Sequence, residues 1–153
     1  MTRSDKSIPG DDPFDLNRFI SAQQRSYDSA LAELRNGQKR SHWMWFIFPQ
    51  IVGLGRSSTA QHYAIKSLEE ARQYLNHPLL GPRLLECSEA VAAVEGRSVA
   101  AIFGYPDDLK LRSSMTLFAP VVEDPHSIFN QILDKYFQGE PDVQTLQILE
   151  NLG

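Results

Sequence analysis

The feature that most constrains the fold is an aromatic run in the first third of the chain, Trp43-Met44-Trp45-Phe46-Ile47-Phe48. It contains both tryptophans and two of the eight phenylalanines. Burying four rings of ~200 Å² each at ~25 cal/mol/Å² contributes at most roughly 20 kcal/mol, whereas the net stability of a domain is only ~5–15 kcal/mol. The sequence therefore predicts that most of the chain packs around this segment.

The secondary structure of the run is less determined than its burial. A short apolar stretch that ends at Pro49 fits either a buried strand or a short buried helix, and periodicity does not separate the two. Ser41 is a candidate N-cap, and the flanking segments have helical patterns. These two signals favour the helix.

The rest of the chain has helical spacing and little period-two alternation. Asp12-Pro13 resembles a helix start, and apolar residues recur from there to Gly37, although Ser26 could begin a second helix. Ser67 and Glu70 have the spacing of a capping box, on a helix whose Glu69, Glu70 and Arg72 are expected to form a solvated face. Further helix starts are predicted at Gly81-Pro82, Ser98, Pro106, Asp124-Pro125 and Asp142.

The expected architecture is all-α: a compact single domain of about seven to nine short helices over residues 12–152, and not an up-and-down bundle. Residues 1–11 are expected to form a disordered N-terminal lead. The lead has no apolar core of a signal peptide, and no apolar run reaches membrane-spanning length, so a cytoplasmic protein is expected.

Charge and cysteine content exclude several function classes. The net charge of −4 and pI near 5.5 argue against general affinity for nucleic acid and for anionic membranes. The single cysteine, Cys87, precludes an internal disulfide and is expected to be a small buried side chain rather than a nucleophile. His and Cys residues do not have metal-ligand spacing, so neither a metal nor a cofactor is predicted.

The first candidate binding element is the loop from Gly53 to Ser58, which includes Gly55, Arg56 and Ser57. Glycines allow close backbone approach, and Arg56 adds a planar cation, a combination that suits a phosphate or carboxylate. The loop is not a dinucleotide fingerprint, because the third glycine is missing. The alternative is a tight turn with a serine cap, which the residues alone favour.

The second candidate element is the helix that begins near Asp107. Lys110, Ser113 and Ser114 share one face of this helix through i+3 and i+4 spacing. Two hydroxyl groups one turn from a lysine can bind an oxyanion. The alternative is that Lys110 and Arg112 form surface ion pairs with Asp107 and Asp108.

The third candidate element precedes the aromatic run and contains Arg40 and His42. An imidazole beside indole rings could act as a general base, and indole faces can stack on a base or a cation. The alternative, a histidine with a purely structural role, is the commoner case. His42 is the one weak catalytic candidate, with Asp107, Asp108 or Glu69 as its possible carboxylate partner.

Several segments together resemble the bacterial domain of unknown function 1810, over nearly the whole length from Asp12 to Leu149. The resemblance implies a compact, mainly helical single-domain fold and brings no established activity, ligand or catalytic residue. Some relatives bear the name of a calpain inhibitor, a class of disordered, aromatic-poor proteins that this core-rich chain does not resemble. The matching segments are Lys39 to Gln50, Gly53 to Ser57, Tyr63 to Ile65, Ser67 to Ala71 and Asp108 to Phe118.

The preferred hypothesis is a cleft that recognises a small anion, such as a nucleotide or a phosphorylated metabolite. One alternative is a protein-interaction module without catalysis, in which part of the aromatic run stays exposed; no particular protein partner is indicated. A second alternative is a small hydrolase that uses His42 with a carboxylate. The candidate ligand-binding residues are Arg40, His42, Trp43, Trp45, Gln50, Arg56, Ser57, Lys110, Ser113 and Ser114.

Overall fold

The structure, a computed structural model, describes residues 12–152, so the predicted disordered lead at 1–11 lies outside the described residues. Over residues 12–152 the chain is all-α, as predicted, and the ten helices are close to the expected number. The only β-type pairing in this range is one parallel bridge between Ile51 and Ile65. The helices are α1 (Asn17–Gln23), α2 (Tyr27–Arg35), α3 (Met44–Ile47), α4 (Ser58–His62), α5 (Leu68–Asn76), α6 (Leu80–Ala93), α7 (Val99–Phe103), α8 (Asp107–Val122), α9 (Ile128–Phe137) and α10 (Val143–Leu152).

Two long helices organise the packing. Helix α8 packs against α5, α7, α9 and α10, and helix α6 packs against α2, α5 and α9. Seven of the eight residues of α8 from Leu111 to Phe118, all except Arg112, are buried. This helix is therefore enclosed on most sides, which explains why its sequence lacks a strong amphipathic pattern.

Four residues of the aromatic run, Trp43, Met44, Ile47 and Phe48, lie in the core, whereas Trp45 and Phe46 are half-buried. The helical alternative is the one observed, over only four residues. Trp43 is 1% exposed and Phe48 is fully buried. The Phe103 ring lies 6.4 Å from the Trp43 ring and 6.1 Å from the Phe48 ring, both edge-on. These aromatic edges connect the run to α7.

Glu33 of α2 fixes the entry to this run. Its carboxylate accepts hydrogen bonds from the backbone N–H groups of Arg40 and Ser41, from Ser41 Oγ at 2.5 Å, and from Trp43 Nε1 at 2.8 Å. The prediction that Ser41 caps the helix is wrong, because Trp43 occupies the N-cap position and makes no side-chain cap bond. Ser41 binds the glutamate instead.

A buried ion pair joins α1 to α5. The Arg18 guanidinium donates to Glu70 Oε2 at 2.7 Å and to the backbone carbonyls of Phe14, Asp15, His62 and Ala64. The two charged side chains are 5% and 2% exposed. Because every polar group of the two side chains is hydrogen-bonded, the cost of removing the two charges from water is compensated. The ion pair also ties α1 to the segment between α4 and α5.

Several helix starts follow the predicted chemistry. Ser57 Oγ accepts from the Ala60 N–H, and Ser67 Oγ from the Glu70 N–H. Glu70 is nevertheless buried, so the expectation that it belongs to a solvated face is wrong; its pairing with Arg18 is a long-range contact that local spacing does not reveal. The chain also divides at Ser26 into α1 and α2, the alternative that the sequence left open.

Other helix starts lie a few residues from the predicted ones. Asp12 accepts from the N–H groups of Leu16 and Asn17, so the first helix begins at Asn17, later than Asp12-Pro13 suggested. Ser127, rather than Asp124, caps α9 by accepting from the Asn130 N–H. In both cases a proline-containing turn comes before the helix.

Titration of Glu33 gives the first prediction. Burial raises the pKa of Glu33, but the bonds from Ser41, Arg40 and Trp43 outweigh it and lower the pKa from 4.5 to about 2. The Glu33 carboxylate therefore stabilises the folded state above pH 4.5, and this stabilisation is lost as the pH falls through about 2. We expect Glu33→Gln to lower the free energy of unfolding by about 1–3 kcal/mol at pH 7, with the difference from wild type shrinking toward low pH.

Urea unfolding across this pH range measures the effect. Glu150→Gln, at an exposed position of α10, is the control and should stay within about 0.5 kcal/mol of wild type. A Glu33→Gln protein with wild-type stability at neutral pH would show that the carboxylate does not hold the aromatic run.

Candidate functional site

The candidate site is a cleft of 340 Å³ that we call the α8–α10 cleft. Its walls come from the aromatic run, from the glycine-containing loop after it, from α8 and from the start of α10. The residues that line it are Trp45, Gln50, Leu54, Gly55, Pro106, Leu109, Lys110, Arg112, Ser113, Asp142 and Gln144. The sequence candidates Trp45, Gln50, Lys110 and Ser113 therefore share one cleft.

Trp45 and Lys110 form the centre of one wall. The Lys110 ammonium lies 3.8 Å from the centroid of the Trp45 ring, and Trp45 is half-buried. The Lys110 ammonium thus makes a cation–π contact with the ring, worth about 0.5–1 kcal/mol at an accessible site.

Asp107 joins two lysines beside this wall. Its Oδ1 lies 3.3 Å from Lys110 Nζ, and its Oδ2 lies 3.0 Å from Lys39 Nζ. The Lys39 ammonium also donates to the Ser41 carbonyl at 2.5 Å and lies 5.0 Å from the Trp43 ring. One carboxylate thus faces two ammonium groups, so this cluster carries a net positive charge. Of the alternative ion pairs, the one between Lys110 and Asp107 is observed, whereas Arg112 pairs with Glu140. The Lys110 pair does not exclude a role in the cleft.

The end of the cleft at α10 is built on Asp142. Its Oδ2 accepts from Thr145 Oγ1 at 2.6 Å, from the Thr145 N–H at 3.0 Å and from Ser113 Oγ at 3.3 Å. Thr116 Oγ1 accepts from the Asp142 N–H at 2.9 Å. Asp142 therefore caps α10, as its position in the sequence predicted, and fixes that helix against α8.

Arg112 supplies the second cation of the lining. Its Nε donates to the Glu140 carbonyl at 2.9 Å, and its Nη2 lies 3.6 Å from the Glu140 carboxylate, which is 74% exposed. An ion pair this exposed contributes little stability. The guanidinium can therefore exchange Glu140 for an anion in the cleft at small cost.

The glycine-containing loop contributes less than the sequence suggested. Gly53 has a φ of +99°, and a Cβ on Gly55 would lie 2.6 Å from the Ala60 Cβ, so backbone geometry and packing account for both glycines. Ser57 caps the five-residue helix α4, and Arg56 is exposed and does not line the cleft. The alternative of a tight turn with a serine cap describes most of this loop.

Four other candidates lie away from the cleft. Trp43 is in the core, and Arg40 and His42 are exposed. Within residues 12–152, His42 makes no hydrogen bond to Asp107 or Asp108. Ser114 is fully buried, and its Oγ has no hydrogen-bond partner in that range. Ser113 lines the cleft and Ser114 does not, because the side chains of neighbouring helical residues point in directions about 100° apart.

Sequence reasoning missed Arg112, Asp142 and Gln144 as members of the site. The sequence predicts a helix start at Asp142, but the packing of α10 on α8 cannot be read from the sequence. A larger hollow of 880 Å³ lies between the start of α1 and the end of α5. Asp12 and Asp15 are the charged groups of its lining, so it does not suit an anion.

Other reactive side chains have structural surroundings. Cys87 is fully buried, and burial raises the pKa of its thiol to about 12, so it is protonated at neutral pH and a poor nucleophile. Across residues 12–152, no three His, Cys, Asp or Glu side chains are grouped as a metal site would require. No helix in the same range is long and apolar enough to cross a membrane.

The unequal environments of the two indoles give the second prediction. Trp45→Phe leaves the core residue Trp43 as the only indole, so its emission should move to shorter wavelength and acrylamide should quench it less than wild type. Phe46→Leu keeps both indoles and should be quenched like wild type. Quenching of Trp45→Phe equal to that of wild type would mean that Trp43 is accessible in solution.

Comparison with known proteins agrees with this architecture. The conserved hypothetical protein Rv1873 from Mycobacterium tuberculosis has a crystal structure that superimposes with a TM-score of 0.88 and 56% sequence identity, over 91% of this chain and 99% of that one. No curated protein matches the sequence. The sequence model of a family described as protein of unknown function (DUF1810) matches residues 13–149. The chain thus belongs to the DUF1810 family.

Proposed function

We propose that this cytoplasmic protein binds a small anionic ligand, a nucleotide or another phosphorylated metabolite, in the α8–α10 cleft. The observation that carries the proposal is the meeting of Trp45 from the aromatic run with Lys110 and Arg112 from α8 in one hollow. An apolar wall with a few convergent polar groups is the usual form of a small-molecule site.

The charges of the lining suit an anion. Lys110 and Arg112 are 22% and 28% exposed, and each is paired with a carboxylate that is partly in solvent. The Arg112–Glu140 pair is exposed on the glutamate side and therefore weak, and Asp107 keeps Lys39 as a partner when Lys110 leaves. A phosphate or carboxylate that accepts from both cations would replace the two pairs. The cleft volume of 340 Å³ lies near the lower end of the ~300–1,000 Å³ found for ligand sites, which favours a compact ligand.

Binding is a better supported role than hydrolysis. A general base needs an orienting partner and access to the substrate. His42 is exposed, does not line the cleft and has no carboxylate partner within residues 12–152. The hydrolase alternative therefore lacks the geometry that would recommend it.

A thermal-shift screen with nucleotides, sugar phosphates and dicarboxylates tests the proposal. A ligand at ~100 times its dissociation constant adds ~2.7 kcal/mol and should raise the melting temperature by roughly 5–10 °C. Arg112→Gln should lose most of this shift, because one charge-assisted hydrogen-bond donor is removed. Arg72→Gln is the matched control, because Arg72 pairs with Glu69 in an exposed i,i+3 ion pair on α5 and does not line the cleft. An equal shift in wild type and Arg112→Gln would contradict the proposal.

Exposed apolar side chains near the cleft favour a second candidate function, protein binding without catalysis. Tyr105 and Leu109, 81% and 45% exposed, lie at the start of α8, and Val143 and Leu146, 63% and 43% exposed, lie on α10. Monomers seldom leave several large apolar side chains exposed in one region unless it is used.

The two functions make different demands on Tyr105, which does not line the cleft. Tyr105→Ser should leave the thermal shift by a small anion unchanged and should weaken binding of a protein partner, as measured by co-purification. The control is Leu152→Ser, because Leu152 is exposed at the end of α10. A Tyr63→Ser variant is not suitable, because the Tyr63 ring packs on the Phe19 ring. Loss of small-anion binding in Tyr105→Ser would contradict the separation of the two surfaces.

A further inference from the structure

One face of the Trp45 ring is covered by a cation. The ammonium of Lys110 lies over the ring at 3.8 Å. A Cβ added to Gly55 would lie 4.0 Å from the ring atoms Cζ3 and Cη2 of Trp45, so the glycine loop lies beside the same side chain. A planar ligand that stacks on the ring face covered by Lys110 must displace the ammonium.

The contacts that hold Lys110 in this place are easily exchanged. Its charged partner Asp107 is 20% exposed and already pairs with Lys39, whose side chain is only 7% exposed. When the Lys110 ammonium leaves, Asp107 keeps one buried cation and is not left unpaired. A long, flexible lysine stem allows the ammonium to move within the cleft while its backbone stays on α8.

The remaining polar groups of the cleft suit the edge of a heterocycle. The side-chain amides of Gln50 and Gln144 line the cleft and make no hydrogen bond within residues 12–152. In the same range, Asp142 uses only its Oδ2, which leaves Oδ1 as an acceptor. Amide and carboxylate groups are those that read the donors and acceptors of nucleobases.

We propose that the ligand is a nucleoside monophosphate whose base replaces the Lys110 ammonium on the Trp45 ring. The released ammonium and the Arg112 guanidinium then bind the phosphate. Lys110 thereby acts as a specificity-determining residue: it covers the ring until a ligand supplies both a planar base and an anion. This inference rests on the proposed function of the cleft and identifies its ligand class.

Isothermal titration of the full chain with adenosine, AMP and inorganic phosphate tests it. For Lys110→Ala we expect the affinity for AMP to fall about tenfold, because one charged donor is lost. The affinity for adenosine should rise about twofold to fivefold, because the ring face is uncovered. Trp45→Leu should weaken binding of AMP about tenfold and leave that of phosphate unchanged.

Lys66→Ala is the control for charge, since Lys66 is exposed and does not line the cleft; it should bind all three probes like wild type. Tighter adenosine binding by Lys110→Ala, together with weaker AMP binding, would support the exchange. If AMP binds wild type but Lys110→Ala weakens AMP and adenosine equally, or Trp45→Leu binds AMP like wild type, the exchange is wrong while anion binding stands. If neither AMP nor phosphate binds wild type, and the wider anion screen is also negative, the proposed function itself fails.

Discussion

The rest of the structure depends on the carboxylate of Glu33. It accepts from two backbone N–H groups, from Ser41 Oγ and from the Trp43 indole, and so binds three residues, Arg40, Ser41 and Trp43, to α2. A buried indole N–H needs a partner, and Glu33 supplies a charged one. With Trp43 fixed, the short helix α3 has a single rotational setting in the core.

That setting decides which tryptophan serves the core and which serves the cleft. Trp43 is the N-cap residue that precedes α3, and Trp45 lies in the first turn of that helix, so the two indoles have different surroundings. Trp43 packs edge-on against Phe103 in the core, and Trp45 is consequently directed toward α8, where it meets Lys110. The same interaction that buries one indole therefore presents the other to the cleft, and fold and candidate site share one origin.

Local chemistry predicted much of this architecture. The serine caps at positions 57 and 67 and the helix start at Asp142 are short-range signals, and the structure contains each of them. Ser41 and Glu70 depart from their predicted roles because their partners lie on other helices, Glu33 on α2, eight residues away, and Arg18 on α1, 52 residues away. A side chain with a competing long-range partner leaves the role that its local spacing suggests.

The sequence by itself determined the helical class, the central place of the aromatic run and the types of residue available for an anion. Periodicity and capping depend on neighbours within a few residues, so they can be read from a single chain. Only the tertiary structure decided that Trp45, Gln50, Lys110 and Ser113 line one cleft with Arg112 and Asp142, while Arg56, His42 and Ser114 lie elsewhere. The physical reason is that helix packing sets the direction of each side chain, and a rotation of one residue, about 100°, separates Ser113 in the cleft from Ser114 in the core.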